Sequence, residues 1–126
     1  MQPELAYKLF TAHLMQNEQL LVKSGKGGLS YYKQDVFVCH FNARPQKKRE
    51  DLGFADFRYD GLRPYLDVRR TIAAIQNDAR PEVQIKSHKL WCSLHFPLLR
   101  LEHIADLFLK HIISKVNLCE SQEIHL

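Results

Sequence analysis

The glycine-rich stretch at residues 22–29 is the first candidate for chemistry, because a short predicted strand leads into Ser24-Gly25-Lys26-Gly27-Gly28 as in a phosphate-binding loop. Such a loop must continue with Gly-Lys-Thr or Gly-Lys-Ser, since backbone N–H groups and the lysine hold phosphates while the hydroxyl binds magnesium. Residues 29–33 instead alternate as a strand does. We therefore expect a flexible loop before a hairpin, with no nucleotide cofactor.

Seven histidines and three cysteines could supply metal ligands. Cys92 and His95 are three residues apart on one predicted strand, so their side chains should point to opposite faces, and Cys39-His40 fails in the same way. On the last predicted helix, His103 and His111 are eight residues apart, or ~12 Å along the axis, which is too far for one ion. The spacing predicts no metal site.

Gln84-Ile85-Lys86 is the third candidate, since a strand-borne Gln-x-Lys occurs in restriction-like nuclease sites. Such a site needs an acid on a neighbouring strand to hold magnesium, and Asp56 is the candidate. A predicted helix separates the two segments, which is the wrong order for a hairpin. Neither a Gly-x-Ser-x-Gly motif nor a supported Cys–His pair is present, so we expect no enzyme.

Aromatic residues near lysines give a nucleic-acid alternative. Tyr31 and Tyr32 precede Lys33, and Trp91 follows Lys89. Rings on a basic sheet face can stack bases. On a hairpin, however, alternating tyrosines are more often one core and one surface residue.

Hydrophobic periodicity predicts the elements that position these residues. Helices are predicted at 3–17, 64–77 and 101–117, and strands at 29–33, 36–42, 52–57, 82–86 and 90–96, with residues 20–23 as a further short strand. Gln34-Asp35 is the expected hairpin turn. The order α-β-β-β-α-β-β-α indicates an α+β fold with one antiparallel or mixed sheet covered by about three helices. The expected core is Leu5, Leu9, Val36, Val38, Leu94, Phe96, Ile104 and Phe108.

Composition bounds the class of protein. The chain has 126 residues, 45% of them hydrophobic and 25% charged, which fits one globular domain over residues 1–126. Cys39, Cys92 and Cys119 form no close pair, so a disulfide framework is not expected. Without a cationic segment before an apolar stretch at the N-terminus, we expect no signal peptide, and no apolar run approaches the roughly 20 residues that span a bilayer. We expect a cytoplasmic protein without a membrane partner.

The net charge of +4 is concentrated in one region. Residues 23–49 hold seven basic residues against one acid, Asp35. Turn geometry places Lys33 at the far end of its hairpin from the basic segment at 43–51. The predicted anion- or partner-binding patch is Lys26, Arg44, Lys47, Lys48 and Arg49.

Three segments resemble the YdhG-like domain family of small bacterial proteins. Ser93-Leu94-His95-Phe96-Pro97-Leu98, followed by the helix from Leu101 to Leu107, is similar to that family's closing strand and helix. Tyr31-Tyr32-Lys33-Gln34-Asp35-Val36-Phe37-Val38 is similar to its central hairpin, and Leu52-Gly53-Phe54 to its next strand. The resemblance covers residues 29–118 and implies a frataxin-like two-layer sandwich. Most of that family has no assigned activity, and one branch is described as an iron chaperone.

The leading expectation for function is a non-catalytic binding or adaptor domain that holds a small anionic ligand or an acidic protein partner, as a monomer or homodimer. Iron handling, by family analogy, is one alternative. That role relies on an acidic helix and sheet edge, whereas helix 3–17 carries only Glu4 before its end and the hairpin region is basic. A nucleic acid is not the expected partner, and weak nucleic-acid binding or nuclease activity is a further alternative.

Overall fold

The computed structural model describes residues 1–44 and 51–117, which form one six-stranded sheet and three α-helices. The helices are α1 (Pro3–Leu14), α2 (Val68–Asp78) and α3 (Leu101–His111). The strands are β1 (Leu21–Gly25), β2 (Gly28–Lys33), β3 (Val36–Arg44), β4 (Leu52–Arg58), β5 (Gln84–Ser87) and β6 (Trp91–Pro97). Short 3-10 turns, Leu98–Arg100 and Ile113–Lys115, flank α3.

The sheet is antiparallel throughout, in the order β1-β2-β3-β4-β6-β5. The predicted α+β class with an antiparallel sheet and three helices is confirmed. Residues 20–23 contribute to a full strand, β1, so the described sheet has six strands rather than five. After β4 the chain passes through α2 and returns along the outer edge as β5, which lets β6 pair with β4.

The helices pack on one face of the sheet. α1 and α2 each contact α3, and α1 contacts β3. In β6, Cys92, Leu94 and Phe96 are buried towards the helices, as alternation predicts, whereas Leu90, which the same alternation would bury, precedes the strand and is 46% exposed. Val38, Leu94, Phe96, Ile104 and Phe108 are confirmed core residues, and Val36 is partly buried against them.

Two core predictions in α1 are wrong. Leu5 and Leu9 are 49% and 36% exposed, while Ala6, Phe10 and Leu14 are fully buried. Adjacent positions on a helix differ by about 100°, so a shift of one residue moves a predicted stripe from the core to the surface. The ring of Phe10 stacks on Phe41 of β3 with centroids 4.2 Å apart, which fixes the rotation of the helix.

Helix boundaries also differ from the predictions. α2 begins after Asp67 rather than at residue 64, because the Asp67 carboxylate accepts a hydrogen bond from the Arg70 N–H at 3.0 Å and caps the helix. α1 and α3 end at Leu14 and His111, before the predicted 17 and 117. None of the helices in the described ranges has the length and apolar character needed to cross a bilayer.

We call the side of the sheet opposite the helices the open face. Its residues follow from the strand register and from alternation. On β1 to β3 they are Leu21, Lys23, Ser30, Tyr32, Phe37, His40, Asn42 and Arg44. On β4 to β6 they are Phe54, Asp56, Arg58, Gln84, Lys86, Trp91, Ser93 and His95.

Candidate functional site on the open sheet face

A single row of polar side chains crosses the open face from one edge of the sheet to the other. Its members pair in sequence across neighbouring strands. We call it the central row: Lys23, Ser30, His40, Asp56, Ser93 and Lys86. It therefore has a lysine at each end and hydrogen-bonding groups between them.

A β-bulge in β3 determines which residues join this row. Tyr31 pairs with Cys39, whereas Tyr32 pairs with Phe37, so Val38 is an extra residue. Val38 and Cys39 are consecutive and both fully buried. Because two successive side chains enter the core, Phe37 and His40 both lie on the open face.

A shallow depression lies over the middle of the central row. Its volume is about 370 Å³. It is lined by Ser30, Phe37, His40, Asp56, Arg58 and Trp91. Polar groups form its floor and aromatic rings stand at two of its sides, a combination that suits a ligand with a planar polar group.

Asp56 is the acidic group of the depression. Its Oδ2 lies 4.0 Å from His40 Nδ1, and about one third of its side chain is exposed. Partial burial raises the pKa of this carboxyl, while the neighbouring His40 and Arg58 lower it. The net effect is a raised pKa, so the surroundings of Asp56 disfavour its ionised form.

Ser93 and His95 form a second polar pair, two residues apart on β6. The Ser93 Oγ and His95 Nε2 are 3.1 Å apart, and the imidazole stands edge-on to Phe54. Burial, and then Lys86 and Arg44, lower the pKa of His95. Ser93 is only 8% exposed, and its hydroxyl is held by this contact with His95. We assign the pair to hydrogen bonding.

Two cations of the open face, Lys23 and Arg44, lie close to aromatic rings. Lys23 Nζ is 4.8 Å from the ring centroid of Tyr32, and Arg44 Cζ is 4.5 Å from that of Phe54. Both cations are exposed. The charged groups themselves lie over the rings, where cation–π attraction holds them, and they remain accessible to solvent on their other side.

Of the predicted anion-binding residues, two are described. Arg44 is the last residue of β3, and Lys26 lies in the turn between β1 and β2, at the same end of the sheet. Lys47, Lys48 and Arg49 lie outside the described residues, and their role stays a prediction. Lys33 is at the opposite end, as expected, where its ammonium donates to the Ile113 carbonyl at 3.0 Å and pairs with Glu18.

The glycine-rich stretch forms the tight turn of the first hairpin rather than a flexible loop before it. Strand β1 continues to Gly25, and β2 begins at Gly28. Gly28 has φ = +117°, and a Cβ there would lie 2.2 Å from the Phe41 carbonyl oxygen. The glycine is needed for close approach of two strands, which accounts for it without a phosphate.

The histidine and cysteine pairs lie as predicted. Cys92 is buried towards the helices while His95 lies on the open face, and Cys39 and His40 are separated in the same way. His111 of α3 bonds to Asp78 at 2.8 Å. Within residues 1–44 and 51–117, no three His, Cys, Asp or Glu side chains are grouped closely enough to hold a metal ion.

Asp56 and Lys86, the pair considered for a nuclease, are both in the central row. Strand β6 lies between them, and Ser93 pairs with each. They are thus two strand spacings apart, or about 10 Å. The hairpin arrangement that a strand-borne nuclease site needs is not formed by these two residues.

Sequence reasoning missed Phe37, Phe54, Arg58 and the joint position of the central row. The alternation in β6 already separates Trp91, Ser93 and His95 from the core. Strand pairing between distant segments is what brings them to Asp56 and His40, and no local pattern carries that information.

Comparison of this chain with known protein-family models, with curated proteins and with solved structures finds no match. The geometry of the open face is consequently the basis for assigning a function. That geometry consists of a central row with cationic ends, a depression in its middle and aromatic rings beside the cations.

Proposed function

We propose that this protein is a non-catalytic binding domain that holds an anionic ligand on its open face. The observation that carries the proposal is the central row, in which Lys23 and Lys86 stand at opposite ends of a line of hydrogen-bonding groups. A ligand along this row would meet a cation at each edge of the sheet, and hydroxyl and imidazole groups on either side of the Asp56 carboxylate between them.

The balance of charge on the open face supports an anion. Four cations, Lys23, Arg44, Arg58 and Lys86, surround one carboxylate, Asp56. Arg58 is also 3.7 Å from the exposed Asp60, so part of its charge is offset. The remaining field is positive, and it favours a phosphate or carboxylate group over a cation.

The basic segment next to β3 is part of the same proposal. Arg44 continues the open face towards residues 45–50, and the Lys26 turn lies at that end of the sheet. We retain the prediction that Lys47, Lys48 and Arg49 add to this cationic edge. The assignment itself rests on the described cations.

Fold family and location are also proposals. One antiparallel sheet with helices on a single face is consistent with a YdhG/frataxin-like sandwich. Cys39 and Cys92 are buried free thiols, and burial raises the pKa of Cys92 to about 11, which keeps the thiol protonated. These unpaired thiols support a reducing, cytoplasmic setting. Iron handling remains an alternative from the resemblance alone, to be tested by titration with ferrous iron.

Trp91 allows a direct test, because it is the only tryptophan in the chain and it lines the depression. Inorganic polyphosphate should change the intrinsic fluorescence and bind with an affinity that falls as salt rises. In a variant with Lys23→Ser and Lys86→Ser, the slope of log affinity against log salt should decrease by about 2, or about 1 per lysine.

The matched control replaces Lys8 and Lys115 by serine. Both are exposed and lie off the open face, on α1 and after α3. This control variant removes the same net charge as Lys23→Ser with Lys86→Ser. The slope of log affinity against log salt should stay nearly unchanged in it. Equal losses in the two variants, or no binding of polyphosphate at low salt, would overturn the proposal.

A further inference from the structure

We infer that the anionic ligand is a single-stranded nucleic acid, whose bases stack on the aromatic rings of the open face while its phosphates contact the adjoining cations. This inference rests on the proposed function and names its ligand class. Weak nucleic-acid binding is one alternative from the sequence. The leading expectation from the sequence is a small anion or an acidic protein, and the inference differs from it.

The first support is the position of the rings. Tyr32, Phe37, Phe54 and Trp91 lie on the open face, opposite the three helices. Trp91 is 39% exposed, and the other three are half-buried among neighbouring side chains. A sheet face whose only task was to meet water or small anions would gain nothing from four rings, whereas stacking of bases requires them.

The second support is that cations accompany the rings. Lys23 lies over Tyr32 at 4.8 Å, and Arg44 lies over Phe54 at 4.5 Å. Arg58 is the cross-strand partner of Trp91. A nucleotide joins a planar base to a phosphate, so a ring beside a cation matches one nucleotide, and the open face has three such pairs.

The third support is the spacing of these pairs. Phe54 and Trp91 lie on adjacent strands, and β2 with Tyr32 is one strand beyond β3. The register also offsets the rings along the strands, since Phe54 pairs with His95 whereas Trp91 pairs with Arg58, so about 13 Å separates Phe54 from Trp91 at ~3.3 Å per residue. Tyr32 and Trp91 are three strand spacings apart, or about 14 Å. One extended strand can therefore reach these rings with bases that are not successive. The Trp91 indole is also held from one side, since it stacks on His88 with centroids 4.6 Å apart. Its other side is available to a base.

The polar floor of the depression completes the arrangement. Ser30, His40 and Asp56 offer donors and acceptors between the ring–cation pairs. Base edges present complementary donors and acceptors when they are not paired. An acidic peptide would use the cations but would leave the rings and the floor without partners. In a duplex the base faces are already stacked, so the rings could not reach them.

The test measures binding of a fluorescein-labelled oligodeoxythymidylate and its RNA counterpart by anisotropy, between about 50 and 200 mM salt. Polyphosphate with the same number of phosphates and a duplex of the same length are the competitors. We expect the single strand to bind at least tenfold more tightly than either competitor and to quench Trp91.

The variant Phe54→Leu should weaken oligonucleotide binding by about five- to tenfold or more, the loss typical of one stacked base. It should leave polyphosphate binding unchanged, because the cations remain. The matched control is Tyr65→Leu, a partly buried ring outside the open face, which should leave both affinities unchanged. Arg44→Gln keeps the Phe54 ring and should weaken the binding of both the oligonucleotide and polyphosphate. It therefore tests the site even if the Phe54→Leu variant does not fold.

Two outcomes would overturn the inference while sparing the proposed function: polyphosphate binding as tightly as the single strand, or Phe54→Leu and Tyr65→Leu giving the same oligonucleotide affinity. Duplex binding equal to single-strand binding would overturn it as well. If neither polyphosphate nor any oligonucleotide bound, the proposed function itself would fail.

Discussion

The carboxylate of Asp56 lies 4.0 Å from the imidazole of His40 across the β3–β4 pair, at the centre of a face that is otherwise cationic. Partial burial raises the pKa of Asp56 in the folded protein. The folded state therefore holds this proton more tightly than the unfolded chain does. At neutral pH the ionised carboxylate costs stability, and the cost disappears as pH falls below the unfolded value near 3.9.

Replacing Asp56 by asparagine should accordingly stabilise the protein at pH 7, by up to about 0.5 kcal/mol for this partly exposed side chain. The gain should shrink as pH is lowered from 7 to 4, and thermal melts across that range measure it. The control is Asp60→Asn, an exposed carboxylate, which should show no such gain. A destabilised Asp56→Asn protein at pH 7 would contradict the assignment.

Anion binding should also depend on pH through the same carboxyl. Asp56 is faced by His40 on β3, Arg58 on β4 and Ser93 on β6, and Lys86 of β5 lies one strand beyond Ser93. When it is protonated, the only acid of the central row becomes neutral, so affinity for polyphosphate should rise as pH falls towards the range in which carboxyl groups take up a proton. Asp56→Asn should bind more tightly at pH 8 and show a smaller rise. A wild-type pH profile identical to that of the variant would count against a role for this group.

Gly28 should be far less tolerant of a side chain than Gly25, three residues earlier in the same hairpin. At Gly28 the φ of +117° opposes alanine, and so does the carbonyl oxygen of Phe41, which would lie 2.2 Å from the added Cβ. Around Gly25 a Cβ would have nothing within 4 Å. Gly28→Ala should cost about 2 kcal/mol or more, and Gly25→Ala about 0.5 kcal/mol or less, in urea denaturation. Similar midpoints for the two variants would contradict this register of β2 and β3.

The rotation of α1 predicts a contrast between neighbouring positions. Leu9 is 36% exposed whereas Phe10 is fully buried and stacked on Phe41. Phe10→Ala should lower the free energy of unfolding by about 3–5 kcal/mol, and Leu9→Gln should change it by about 0.5 kcal/mol. Chemical denaturation measures both changes. If Leu9→Gln lost more free energy of unfolding than Phe10→Ala, the described rotation of α1 would be wrong.

The sequence predicts those parts of the fold that depend on neighbours along the chain. The alternation of residues 92–96, the Gln34-Asp35 turn and the end of the second helix near Asp78 all follow from local pattern, and all are confirmed. In α1, Leu5 and Leu9 offered as good an apolar stripe as Ala6 and Phe10. Only contact with β3 selects between them, and that contact is not local.

The candidate site depends almost wholly on such non-local pairing. His40, Asp56 and Ser93 are far apart along the chain, and each has an ordinary local sequence. His40 meets Asp56 because β3 pairs with β4, and Ser93 joins them because β6 rather than β5 pairs with β4. The predicted patch at Lys26 and Arg44 followed from charge density alone, which identifies cations but does not identify the rings beside them.

Val38, the extra residue in β3, also affects which one-residue changes in length this strand can tolerate. Loss of Val38 would place Phe37 directly before Cys39, and strict alternation would still leave Phe37 and His40 on the open face. Loss of a residue elsewhere in β3, such as Asn42, would invert every side chain beyond it. A one-residue deletion is therefore tolerable at the bulge, where the cost is one buried valine, and the side chains of the open face keep their orientation.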